Sequence, residues 1–189
     1  MALCCAHTAA GFLAYEAIRP AGVERPKLLG AAVVLANAAD LDYLPGLLLG
    51  HPNLYHRGVT HTVLAAVVVG ALVVLAARAV GRRAGSPLAA GMWAGAVYAS
   101  HLLLDFFTTD VVQPAGARFL WPFSDAYYLA PVTPLRQIII DPTGRAAFFH
   151  SIVAPETAHT WASEVILLLA TIVLARAVRA WQARPLEQS

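Results

Sequence analysis

The sequence predicts an all-α integral membrane protein, a bundle of about five transmembrane helices with a small outer cap. Of its 189 residues, 59% are hydrophobic and only 13% are charged, whereas roughly a quarter of a typical globular chain is charged. A soluble chain with so few charges could not cover its surface with polar groups, so apolar side chains must face lipid. The length suits a single membrane-embedded domain over residues 1–189.

Five apolar segments approach the ~20 residues that a helix needs to cross a bilayer. They are residues 2–18, 28–49, 60–77, 87–105 and 160–178. The third is the clearest, because residues 63–77 carry no charge. The second contains Asp40 and Asp42, followed by Pro45 and Gly46, which should end or kink the helix.

The placement of arginine and lysine predicts the orientation of these spans. Nine basic residues fall on one side of an alternating five-span topology, namely Arg19, Arg25, Lys27, Arg78, Arg82, Arg83, Arg176, Arg179 and Arg184. Loops rich in arginine and lysine stay in the cytoplasm. We therefore expect an inner membrane protein with a cytoplasmic C-terminus, and with the N-terminus, the 50–59 loop and the 106–159 segment outside.

The 106–159 segment is rich in proline and aromatic residues, and we expect it to form the outer cap on the membrane surface. Within it, Gln137–Ile140 could form a short strand before a turn at residues 141–144.

Histidine and aspartate recur at one depth in four of the predicted helices. At 1.5 Å per residue, they lie about 18 to 28 Å from the cytoplasmic helix ends. The residues are His7, Asp40, Asp42, His61, His101 and Asp105, and His56 lies in the loop just above them. Ionisable residues inside a membrane are costly and usually functional. Independent placement would scatter them, so their convergence predicts one shared site facing the outer side.

The chemistry of this layer indicates a metal centre. His101 and Asp105 are four residues apart and share a helix face, and Gly91 and Gly95 on the same helix allow close approach of a neighbour. Gly58 allows a tight turn between His56 and His61. Imidazole and carboxylate ligands suit Zn²⁺, and also Mn²⁺ or Fe²⁺.

Structural roles compete with ligation for each of these residues. A lone His101–Asp105 pair could only stabilise its helix, and His56 and His61 could be interfacial. Asp40 and Asp42 are two residues apart, so on a regular helix they would point away from each other and one of them could be a cap. Glu164, near the outer entrance to the last span, could be a further ligand, a partner for an imidazole, or simply solvated.

The order and spacing of these motifs resemble the LexA-regulated, membrane-bound metal-dependent hydrolase family (YdjM-like). The resemblance rests on His7, the Asp-Leu-Asp at 40–42, the His-Arg-Gly-Val-Thr-His at 56–61, the His-Leu-Leu-Leu-Asp at 101–105 and the Trp-Pro-Phe-Ser at 121–124. That family is distantly similar to zinc-dependent phospholipase C and P1 nuclease, in the Asp42-to-His56 spacing and the His101–Asp105 pair. The resemblance implies phosphoester hydrolysis at one or two divalent ions.

We therefore expect a membrane-bound hydrolase that acts on a phospholipid or a lipid-linked phosphate through a metal-activated water. Asp40 or Asp105 would accept the proton of the water, and Arg57 would neutralise charge on a phosphoryl oxygen, unless it anchors to lipid headgroups. A net charge of +2 gives no reason to expect a nucleic-acid partner. The alternatives are a divalent-metal binding or transport protein and a protein with purely structural polar pairs.

Overall fold

Helices make up most of the computed structural model, which describes residues 4–17, 25–81 and 85–182. In chain order the α-helices of these ranges are α1 (Cys4–Ala17), α2 (Arg25–Asn37), α3 (Tyr43–Leu49), α4 (Val63–Ala79), α5 (Pro87–Phe106), α6 (Arg145–Val153) and α7 (Ala158–Gln182). Short 3₁₀ helices occur at Ala38–Asp42, Val59–His61 and Pro155–Thr157. No β-strand forms in the described ranges, which confirms the predicted all-α class.

Three helical stretches are long and apolar enough to cross a membrane, and they match three of the predicted spans. They are Arg25–Leu49, Pro87–Phe106 and Pro155–Gln182. α4 is apolar but has only 17 residues, and it begins at Val63 rather than at residue 60. α1 has 14 residues, and residues 2, 3 and 18 of the first predicted span lie outside the described ranges. The total of five spans stays a prediction.

The break in the second span lies earlier than the sequence predicts. Regular helix stops at Asn37, and Ala38–Asp42 forms a 3₁₀ helix before α3 begins. Pro45, which we expected to end or kink the span, instead lies in the first turn of α3. Backbone N–H groups in a first turn have no partner within the helix, so a proline there costs no hydrogen bond. The irregular turn therefore falls on the two aspartates themselves.

The core of the bundle forms where α1, α2 and α5 meet. Its buried side chains are Phe12, Tyr15, Leu28, Ala32, Ala36, Trp93, Ala94 and Val97. Small residues such as these alanines let membrane helices approach closely. α1 also contacts α7, where Arg179 forms an ion pair with Glu16. The packing thus fixes α1, which carries His7, against α5, which carries His101.

Glycines bring α4 and α5 into backbone contact, as the Gly91 and Gly95 spacing predicts. A Cβ atom built on Gly70 would lie 2.8 Å from the carbonyl oxygen of Gly91, and one built on Gly91 would lie 2.5 Å from the carbonyl oxygen of Gly70. Real Cβ atoms do not approach backbone oxygens so closely, so neither position can take a side chain without separating the helices.

Gly91→Ala should therefore destabilise the fold, by about 1 to 3 kcal/mol as expected for overpacking. The measurement is thermal or denaturant unfolding of the protein in detergent. Gly30→Ala is the matched control, because nothing lies within 4 Å of a Cβ at that helical glycine. Equal stability of Gly91→Ala and Gly30→Ala would contradict the close α4–α5 contact.

The segment between α5 and α7 is mostly irregular, with α6 as its α-helix. Residues 137–140, which we expected to form a strand, have no strand partner in the described ranges. That prediction was wrong because the alternating side chains of Ile138 and Ile140 pack into a cluster with Tyr43 and Phe148 instead of into a sheet. The turn predicted at residues 141–144 forms, and Asp141 accepts hydrogen bonds from Thr143.

Candidate metal centre

Four separate elements contribute side chains to one buried cluster of histidine and aspartate. His7 comes from α1, Asp40 from the 3₁₀ helix after α2, and His61 from the 3₁₀ helix before α4. His101 and Asp105 lie one turn apart on α5. The side chains of His7, His61 and His101 are completely buried, and that of Asp105 is 2% exposed. The structure thus brings these predicted residues together, although up to 98 residues separate them along the chain.

Asp40 and Asp105 lie between the imidazole rings. His101 Nε2 is 3.5 Å from Asp40 Oδ1 and 3.6 Å from Asp105 Oδ2. His61 Nε2 is 3.6 Å from Asp40 Oδ1 and 3.4 Å from Asp105 Oδ2. On the other side, His7 Nε2 is 3.7 Å from Asp105 Oδ1, and the His7 ring stacks on that of His101. The inward-facing nitrogens therefore surround two carboxylates.

Asp42 contacts the cluster on the side away from the inward-facing nitrogens, through a different set of contacts. His56 Nδ1 lies 3.0 Å from Asp42 Oδ1 and His61 Nδ1 lies 3.1 Å from Asp42 Oδ2. Thr60 Oγ1 donates to Oδ2 at 2.8 Å, and the backbone N–H of Arg57 donates to it at 3.1 Å. The regular-helix geometry in which the two aspartates would point apart does not apply, because Ala38–Asp42 is a 3₁₀ turn. This turn places Asp40 and Asp42 on opposite nitrogens of the His61 ring.

These contacts define the tautomers of three imidazoles. A carbonyl or carboxylate oxygen can only accept, so His101 Nδ1 donates to the carbonyl of Ala36 at 2.8 Å, and His56 Nδ1 donates to Asp42. The Thr60 hydroxyl donates its proton to Asp42, so His61 Nδ1 donates to Thr60 Oγ1 at 3.1 Å. In a neutral imidazole with its proton on Nδ1, Nε2 carries a lone pair. Burial lowers the pKa of His56 below its ordinary value, although the hydrogen bond to Asp42 acts in the opposite direction. The lowered pKa favours the neutral ring.

The inward-facing atoms have no hydrogen-bond partner among the described residues. They are His7 Nδ1 and Nε2, Asp40 Oδ1, His56 Nε2, His61 Nε2, His101 Nε2, and Asp105 Oδ1 and Oδ2. A buried polar atom without a partner costs roughly 1–3 kcal/mol, so a cluster of eight requires an explanation. Bound cations would engage the atoms that carry a lone pair or a negative charge, whereas one nitrogen of the His7 ring carries a proton and needs an acceptor.

The spacing of the donor atoms fits such a cation. Separations of 3.4 to 3.7 Å are longer than a good hydrogen bond. Tetrahedral ligands held 2.0–2.2 Å from one ion lie about 3.3 to 3.6 Å apart. Two sets of three residues bring one donor atom each to within 4.8 Å of one another, namely His7, His101 and Asp105, and Asp40, His56 and His61. The described residues could therefore hold a metal ion.

Arg57 stands beside the cluster in a left-handed backbone conformation, with φ of 60°. Such a conformation costs energy in a residue with a side chain and persists only where the surroundings hold it, here through the Asp42 hydrogen bond. Its Nη1 forms an ion pair with Asp110 and lies 3.4 Å from the carbonyl oxygen of Gly116. Arg57 and His56 both line a pocket of about 380 Å³.

Comparison with known proteins agrees with the apolar helices. The profile of the YdjM inner membrane protein family matches residues 1–184. The chain belongs to that family. It is also 36% identical over 112 residues to the inner membrane protein YbcI of Escherichia coli strain K12. The aligned region covers 56% of this chain and 60% of that relative. The chain thus spans about three fifths of the length of that relative. No solved structure matches.

In this YdjM-family chain, the structure gives a contact for Glu164, whose role the sequence left open. It is buried, and its Oε2 accepts the backbone N–H of Ala6 at 3.0 Å. Ala6 lies in the first turn of α1, whose N–H groups have no partner within the helix, and a carboxylate is favourable at that positive end. Glu164 therefore holds the N-terminus of α1, one residue before His7.

Sequence reasoning did not identify several residues that hold the cluster in place. The hydroxyl of Thr60 lies inside the His-Arg-Gly-Val-Thr-His motif, and Tyr43, whose ring stacks on His56 with centroids 3.9 Å apart, directly follows Asp42. Adjacency to a motif was the only signal for these two. Asp110 and the carbonyl of Ala36 carried no signal, because their partners are distant in the chain.

Proposed function

We propose that this protein is a membrane-bound, metal-dependent hydrolase of phosphoesters. The observation that carries the proposal is the set of buried, unpartnered imidazole nitrogens and carboxylate oxygens, which face one another at metal-ligand spacing. The resemblance of the Asp42-to-His56 spacing and of the His101–Asp105 pair to zinc-dependent phosphoesterases supports this reaction class. The family match supports the membrane location and does not by itself specify a reaction.

The residues that would hold one or two divalent ions are His7, Asp40, His56, His61, His101 and Asp105. We assign Asp42 to orientation, because it lies beside Nδ1 of both His56 and His61 and bonds them directly or through Thr60, which leaves their Nε2 atoms inward. Partners of this kind raise the basicity of a ligating imidazole and fix its ring. Zinc is the first candidate, with manganese or iron possible for the same ligands.

A divalent ion bound there would lower the pKa of a water molecule towards about 7 and so supply hydroxide at neutral pH. Asp40 is the better candidate for the group that accepts the proton. Its side chain is 17% exposed, whereas both oxygens of Asp105 are buried and face imidazoles. Arg57, oriented by Asp110, would neutralise charge that develops on a phosphoryl oxygen.

The proposed substrate is a phospholipid or another lipid-linked phosphate. Asp40, His101 and Asp105 lie on helical stretches long and apolar enough to cross a membrane, where a lipid can approach from the side. The pocket beside His56 is formed by the 50–58 loop and the segment after α5, which the distribution of basic residues assigns to the outer side. A phosphate at headgroup level would reach both the pocket and the cluster.

The test is elemental analysis of detergent-purified protein, with His101→Ala and His56→Ala beside the wild type and His150→Ala as an exposed control. We expect stoichiometric metal in the wild type and the control, and its loss in the other two. The same samples are assayed with bis(4-nitrophenyl) phosphate, whose hydrolysis should stop with a chelator and return with the metal.

A metal-free wild type prepared without chelator would contradict the metal centre itself. Bound metal without hydrolysis of this substrate or of phospholipids, together with metal flux in proteoliposomes, would instead favour the divalent-metal transport alternative.

A further inference from the structure

The pocket beside the metal centre has features of a headgroup site. It is about 380 Å³ in volume and is lined by the 50–58 loop and by residues between 110 and 140. His56 and Arg57 belong both to its wall and to the surroundings of the cluster. A molecule that filled the pocket would therefore lie directly beside the buried imidazoles.

The charged residues of this pocket favour an anion. Arg57 and Arg118 line it, together with a single carboxylate, Asp110. That carboxylate already pairs with Arg57 and accepts the backbone N–H groups of Val112 and Gly116. The side-chain hydrogen bonds of Arg57 to described residues all use Nη1, so three of its five N–H groups remain for a ligand.

Three tyrosines also line the pocket, and by themselves they would suit a quaternary ammonium group such as choline. The position of Arg118 argues against such a ligand. An antiparallel bridge between Ala117 and Tyr128 sets Arg118 beside Tyr127, with the guanidinium carbon 6.0 Å from the centre of the ring. The face of that ring thus already carries a cation.

Arg118 is free to exchange its present partner for a ligand. It pairs with Asp125 at 3.3 Å, but the side chain of Asp125 is 85% exposed, and exposed ion pairs contribute little stability. An incoming phosphate or carboxylate group can therefore compete with Asp125.

We propose that this pocket binds the headgroup of the substrate and that Arg118 makes it select an anionic headgroup over a zwitterionic one. The assignment to a substrate rests on the proposed hydrolase function, but binding in the pocket can be measured without any reaction. Arg118 would act as a specificity-determining residue, while Arg57 contacts the phosphate nearer the cluster.

The experiment is a calorimetric titration of the detergent-purified protein, as isolated, with glycerol 3-phosphate and with phosphocholine. Both probes carry a phosphate monoester, and phosphocholine adds a fixed positive charge. The variants are Arg118→Gln and Arg118→Glu, with Arg136→Gln as a control from the same segment that lies outside this pocket. Metal content is measured on every sample.

We expect the wild type and Arg136→Gln to bind glycerol 3-phosphate roughly tenfold more tightly than phosphocholine, because the fixed positive charge of phosphocholine would lie beside Arg118 and like charges in contact repel. Arg118→Gln should remove the preference, and Arg118→Glu should invert it, with metal content unchanged. Equal binding of the two probes by the wild type, no binding of either, or an unchanged preference in Arg118→Glu would each overturn the pocket assignment. Loss of metal from the wild type would count against the proposed function, and the titration would still decide the pocket.

Discussion

Asp105→Asn should release the metal from the purified protein. Asp105 Oδ1 faces His7, and Oδ2 faces both His61 and His101, so this carboxylate contacts more of the cluster's imidazoles than any other group. An asparagine would remove its negative charge and place an N–H₂ group against nitrogens that carry lone pairs. Changes to groups behind the ligands typically cost 10–100-fold in metal affinity, so we expect a loss of at least about a hundredfold here.

The measurement that separates ligation from a structural role is thermal unfolding with and without chelator. If Asp105 is a ligand, Asp105→Asn should be less stable than the wild type only when metal is present, because metal that binds the folded state raises its stability. In chelator the variant should be about as stable as the wild type, since neither Asp105 oxygen accepts a hydrogen bond from the described residues and asparagine keeps the shape of the side chain. Asp141→Asn is the control, as Asp141 is exposed and lies outside the cluster. Equal destabilisation of Asp105→Asn in both conditions would make Asp105 a structural residue.

Asp42→Asn should weaken metal binding without abolishing it. Asp42 contacts the outer nitrogens of His56 and His61 and holds the backbone of Arg57, and asparagine keeps only one of the two accepting oxygens. We expect apparent metal affinity, measured by competition with a chelator, to fall roughly 10- to 100-fold, with full occupancy recovered at higher metal concentration.

Thr60→Val is the matched comparison for this prediction, because it removes one hydrogen bond to Asp42 and leaves the carboxylate in place. Its effect should be smaller than that of Asp42→Asn. A complete loss of metal in Asp42→Asn, as severe as in Asp105→Asn, would instead identify Asp42 as a direct ligand.

Features that depend on spacing within one helix could be predicted from the sequence. The shared face of His101 and Asp105 follows from the 3.6-residue period, and close approach at Gly91 follows from the absence of a side chain. The shared depth of the polar residues followed from helix rise and from the basic residues at the predicted helix ends. That arithmetic predicts, without any tertiary contact, that His7, His61 and His101 lie in one layer.

The different contacts of Asp40 and Asp42 with His61 could not be predicted in the same way. A regular helix would have pointed them apart, whereas the 3₁₀ turn at Ala38–Asp42 directs one to the inner and the other to the outer nitrogen of His61. The choice between helix and 3₁₀ geometry over five residues depends on what the turn packs against, which local sequence does not specify. The expected kink at Pro45 failed for the same reason.

The sequence by itself determined an apolar, helical membrane chain in which histidines and aspartates converge on one layer, because composition and helical periodicity are local properties. Only the tertiary structure decided which nitrogen of each imidazole faces inward, that Arg57 pairs with Asp110, and that Glu164 holds the start of α1. Each of these depends on contacts between residues 14 to 158 positions apart, and such contacts arise from how the helices and the irregular segment pack together.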